Sequence, residues 1–145
     1  MHVAIGSDHV GYSLKEGLKP FLAERGLELL DCGTDSNASC DYPLFGRKVA
    51  ETVASGTCER GILICGTGIG ISIAANKVHG IRCALVHDVY TARLALRHND
   101  ANVLAMGTTV VSLPHAKLII AAWLDEEFEG GRHNTRLQMI KEMER

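Results

Sequence analysis

Five apolar runs of strand length, each followed by a stretch with helical spacing, leave this chain little choice of architecture. Residues 2–6 (HVAIG), 27–31 (LELLD), 61–65 (GILIC), 81–86 (IRCALV) and 102–106 (NVLAM) read as short strands. Their unbroken hydrophobicity suits burial on both faces, as in a parallel sheet. Between them Leu14, Leu18, Phe21 and Leu22 recur at helical spacing, with Pro20 expected to kink or interrupt that helix. A second helix follows Pro43 with a face of Phe45, Val49 and Val53, and a later one shows Ala116, Ile119, Ile120, Trp123 and Leu124 at i, i+3, i+4, i+7 and i+8. After Gly130-Gly131 an amphipathic stretch over 132–144 is left over, with no strand to follow it. The alternation predicts one α/β domain over residues 1–145: a doubly wound, Rossmann-like five-stranded parallel sheet flanked by helices, with an extra C-terminal helix. Ligands of such sheets bind beyond the carboxyl ends of the strands.

Charge narrows the partners. Fifteen Lys+Arg against 17 Asp+Glu leave a formal net charge of −2, which argues against a nucleic-acid or polybasic membrane-surface partner. No apolar run reaches the ~18–20 residues that span a bilayer. The opening MHVAIGSDH lacks a basic segment of the secretory kind, so a cytoplasmic location is expected. Cys32, Cys40, Cys58, Cys65 and Cys83 are odd in number and scattered without CxxC, so neither a disulfide scaffold nor a zinc site is expected. The seven histidines show no recognised metal spacing, and no metal is assigned.

The segment CGTGIGISIAANK, residues 65–77, carries the sharpest chemistry. Glycines at alternate positions after a buried strand let the backbone approach a ligand and present successive N–H groups, a nest for phosphate or a developing oxyanion. It is not the dinucleotide fingerprint, since Gly66 and Gly68 are followed by Ile71 where the third glycine should fall. The alternative is a tight strand-to-helix turn with no ligand. Cys65 stands just before the nest, where a thiol becomes a usable base or nucleophile; the alternative is a small buried hydrophobe. His98 ends the fourth helix and suits proton transfer, or else merely compensates a helix dipole. Asp8 and His9 follow the first strand, where Asp8 could serve only as an N-cap. Arg132 and Arg136, four apart, present two guanidiniums on one helix face, either a phosphate clamp or a solvated basic surface.

Together SDHVG (7–11), DYP (41–43), CGTGIGISIAANK (65–77), HNDANVL (98–104) and GGRHNTR (130–136) resemble, in this order and over essentially the whole chain, the ribose-5-phosphate isomerase B family. The resemblance implies an aldose–ketose isomerase of sugar phosphates, ribose 5-phosphate and ribulose 5-phosphate first, acting through an enediolate without metal or other cofactor. It implies Cys65 as the enolising base, an oxyanion held by amides of Gly66, Thr67, Gly68, Ile69 and Gly70, and His98 opening the furanose ring with Thr67 nearby. Asp8, Tyr42 and Asn99 match positions that contact hydroxyls or reacting oxygens, and His9, Arg132 and Arg136 match phosphate binders. It further implies a homodimer, or a dimer of dimers, with sites shared between subunits. An isomerase of an allose, galactose or tetrose phosphate is the alternative within the class. A non-catalytic sensor is the alternative outside it, although a sensor needs the clamp and not the Cys65–His98 pair. One departure stands out: where the family pattern reads Gly-x-Arg after the fifth strand, this chain has Gly107-Thr108-Thr109.

Overall fold

The computed structural model describes residues 1–144. Its elements run β1 (His2–Ser7), α1 (Tyr12–Glu24), β2 (Glu28–Asp31), α2 (Tyr42–Ala54), β3 (Arg60–Cys65), α3 (Ile69–Asn76), β4 (Cys83–Leu85), α4 (Val89–Asn99), β5 (Val103–Gly107), α5 (Leu113–Leu124) and α6 (Arg132–Glu142). The strands form one sheet in the order β2-β1-β3-β5-β4, every neighbouring pair parallel. This is the expected α/β architecture.

Strand side chains alternate between faces, and here the alternation feeds two cores. Val3, Ile5, Ile62, Ile64, Leu104 and Met106 point to one side, against Leu14, Leu18 and Leu22 of α1, Leu96 of α4 and Ile119, Ile120 and Trp123 of α5. Ala4, Leu63, Cys65, Val103 and Ala105 point to the other, against Val49, Ala50 and Val53 of α2 and Ile71 and Ala75 of α3. Burial on both faces therefore holds for β1, β3 and β5. It does not hold for β2 and β4, which lie at the sheet edges with mixed exposure. β4 is also shorter than the apolar run at 81–86, because the Asn102 side chain takes the Arg82 amide before the ladder begins.

Pro20 does not interrupt α1, which runs through it as one helix. The proline is exposed, so the carbonyl it leaves without a partner faces water, while buried Leu18 and Leu22 on either side anchor the helix to the core. α6 belongs to neither core; His133 is its one buried residue.

A buried ion pair fastens the β2 edge. The side chain of Lys15 is fully buried, and its Nζ donates to both carboxylate oxygens of Asp31 at 2.8 and 2.7 Å, with Glu16 at 3.2 Å. Burial opposes ionisation of Asp31, but hydrogen bonds from Lys15, Lys19 and the Gly33 amide outweigh it and hold the carboxyl below its ordinary range. Asp31→Ala leaves the ammonium underpaired, and breaking a buried pair costs ~3–5 kcal/mol. Because Glu16 remains in reach, the loss in a urea titration should be about 3 kcal/mol.

Candidate active site

The chain turns sharply after β3 because it must pass close beneath its neighbours. Gly68 has φ 78°, and a Cβ there would stand 2.7 Å from the carbonyl carbon of Met106. A Cβ on Gly70 would meet the Tyr42 ring at 2.4 Å, so Tyr42 is packed directly over the loop. The loop's carbonyls are turned toward β5: Thr108 N donates to Cys65 O at 2.9 Å and Thr109 N to Gly66 O at 3.0 Å. Inside the turn lies the Cys65 thiol, buried, its Sγ accepting the Gly68 N–H at 3.2 Å. Such a donor is placed to hold a sulfur that carries negative charge. Thr67 is exposed, and its Oγ1 accepts the Ile69 N–H at 3.2 Å, capping the first turn of α3.

The end of β1 joins this edge. Asp8 is buried and Oδ1 accepts the Gly11 N–H at 3.0 Å, so it stiffens the turn into α1, although Gly11 and not Asp8 is the N-cap. His9 Nδ1 accepts the Cys40 N–H at 3.2 Å, which leaves its Nε2 as the protonated nitrogen. Asp8, His9, Tyr42, Cys65, Thr67 and the loop glycines thus gather at the carboxyl edge of the sheet.

His98, Asn99, Arg132 and Arg136 do not. α4 leaves the carboxyl edge after β4 and runs back along the sheet, so its eleven residues carry His98 to the amino edge, ~16 Å away. There the His98 ring stacks on His133 with centroids 4.4 Å apart, which brings the start of α6 and its exposed Arg132 and Arg136 alongside. One chain therefore holds two half-sites at opposite edges. A cavity of about 670 Å³ opens beside Asn99 at the amino edge, between α6 and β4, rather than over Cys65.

Sequence reasoning passed over three residues. His133 and Glu129 flank His98, and their four-residue spacing across Gly130-Gly131 was the available signal. Burial holds the His133 imidazole below its ordinary range, and neighbouring His98 and Arg132 push the same way. The third is His87, whose Nε2 accepts the Gly107 N–H at 2.9 Å, which needs a neutral ring. Burial lowers its pKa, with Asp88 opposing. The folded protein then takes up this proton less readily than the unfolded chain. The bond's contribution is whole above about pH 6.5 and is lost as pH falls below it. Melting temperatures between about pH 7 and pH 5 should drop less in His87→Gln, whose amide oxygen accepts at any pH.

Thr109, at the position of the family arginine, is committed internally: its hydroxyl donates to Gly66 O at 2.7 Å. It braces the loop and offers its proton to no ligand. Thr109→Arg keeps the backbone bond to Gly66 and adds a charge at the same edge. It should lower KM for ribose 5-phosphate by up to roughly tenfold with kcat little changed. Collapse of activity would instead mark the threonine as a specificity element for another sugar.

An open parallel sheet with its reactive groups on the loops after the strands, and without a dinucleotide fingerprint, places the molecule among small α/β enzymes acting on anionic metabolites. More narrowly, the chain belongs to the ribose/galactose isomerase family, whose model matches residues 3–140. It is 51% identical over 142 residues to the ribose-5-phosphate isomerase B of Escherichia coli, covering 98% of this chain and 95% of that one. The solved ribose-5-phosphate isomerase B of Clostridium thermocellum superposes with a TM-score of 0.98 at 58% identity, covering 99% of this chain and 97% of that one. The type B enzyme of Trypanosoma brucei does so at 0.96 and 44%, covering 99% and 98%.

Proposed function

We propose that the protein interconverts ribose 5-phosphate and ribulose 5-phosphate through an enediolate. The observation that carries this reading is the Cys65 thiol enclosed beneath the glycine loop with the Gly68 amide on its sulfur. As thiolate, Cys65 removes the proton from the carbon beside the carbonyl and returns it to the neighbouring carbon. Charge that develops on the substrate oxygen meets the outward amides of residues 66–70 and the N-terminus of α3, donors fixed before the reaction begins. Tyr42 and Asp8 stand over the same loop to hold hydroxyls, and His9 Nε2–H is free to donate to the phosphate.

The remaining machinery comes from a second copy. The His98 that faces a given Cys65 is the partner subunit's, and the same holds for Asn99, Arg132 and Arg136. Support lies in the split of the half-sites and in the apolar side chains exposed around both: Ile69 and Ile73 on α3, Met139, Ile140 and Met143 on α6. His98 opens the furanose ring, with Thr67 beside it, and the two arginines close on the phosphate.

Incubation with ribose 5-phosphate in D₂O tests the reading. Ribulose 5-phosphate should accumulate to equilibrium while the substrate gains deuterium at C2. No turnover of ribose 5-phosphate, with brisk turnover of an allose, galactose or tetrose phosphate, would move the assignment to that sugar.

A further inference from the structure

We propose that His98, Glu129 and His133 form a binding site for a divalent transition-metal ion, with Zn²⁺ as its occupant. Ligand atoms of the three residues all lie within 4.8 Å of one another. Glu129 Oε1 stands 3.8 Å from His98 Nε2 and 3.7 Å from His133 Nε2, so one carboxylate oxygen faces both imidazole nitrogens without hydrogen-bonding to either. An ion between them would sit within roughly 0.5 Å of the 2.0–2.1 Å that zinc asks of nitrogen and carboxylate ligands.

An independent observation points into the same space. His133 Nε2 is buried and has no hydrogen-bond partner, on a side chain only 8% exposed. A buried ring nitrogen without a partner is costly. An ion coordinated at Nε2 removes that cost. The outer contacts suit ligation as well: Arg97 donates to Glu129 Oε2 at 3.1 Å, which fixes the carboxylate and turns Oε1 toward the histidines. Glu126, 3.8 Å from Arg97, balances that guanidinium's charge. Two imidazoles and a carboxylate with a fourth position open to water are a donor set that zinc takes readily.

Occupancy has a consequence for turnover that rests on the function proposed above. A metal on His98 Nε2 takes the lone pair the ring-opening step uses, so the ion acts as an inhibitor and not as a cofactor. The binding itself does not depend on that step.

The full-length protein, stripped with chelator, should be titrated with Co²⁺ as spectroscopic probe and then with Zn²⁺ in competition. One Co²⁺ per chain should bind with visible d–d bands and without thiolate charge-transfer absorption. Glu129→Gln, a surface change, and His133→Gln should each weaken binding by roughly tenfold or more. Zn²⁺ should displace the cobalt and slow ribose 5-phosphate turnover, with correspondingly more zinc needed in Glu129→Gln. Absence of bands at sub-millimolar cobalt, thiolate charge-transfer bands, or affinity unchanged in Glu129→Gln would each overturn the site. Binding as expected without inhibition would uphold the site and count against His98 as the ring-opening group.

Discussion

Cys65→Ala should lower kcat for ribose 5-phosphate by two to four orders of magnitude while leaving KM within a few-fold of wild type. Removal of a general base typically costs ~10²–10⁴ in rate. The thiol does not clamp the phosphate, so ground-state binding should survive its loss. The substitution is also structurally mild. Cys65 is buried in the smaller core and accepts a single hydrogen bond, from Gly68 N. Alanine keeps the strand and removes only the sulfur. Deuterium incorporation at C2 separates a lost base from a distorted loop, because the exchange itself requires the proton to leave. Exchange at near wild-type rate in the alanine variant would assign the base to another residue.

The second large effect is a recovery. Cys65→Ala and His98→Asn should each be nearly inactive alone. Mixed, dissociated and reassembled, they should regain about a quarter of wild-type activity, since half of the dimers are hybrids and each hybrid has one intact site. The expectation follows from the ~16 Å that α4 puts between the two side chains along one sheet. If each chain carried a complete site, mixing would restore nothing.

Legibility in the sequence followed physical locality. The central strands could be read because burial on both faces leaves a continuous apolar run, as in 61–65. β2 and β4 carry similar runs but lie at the edges, and strand order is not a local property. Pro20 was misjudged because its cost depends on which way its helix face points. The Cys65 loop was legible because nest geometry is written into consecutive residues. His98 and Cys65 could be named, but their separation is set by the direction α4 takes across the sheet. Glu129 and His133 join His98 only through packing of α6 on α4, and two glycines between them broke any helical pattern that could have shown it.

The placement of the two half-sites also dictates how two copies must meet. A rotation axis parallel to the strands would bring carboxyl edge to carboxyl edge and pair like halves. To set the loop of Cys65 against the partner's His98, the axis has to lie across the strands, so that the two sheets run in opposite senses. Two complete sites then arise at once, one at each end of the assembly, separated by roughly the length of a strand, ~20 Å. Half-occupied assembly is geometrically impossible in such a pair: the contact that completes one site completes the other.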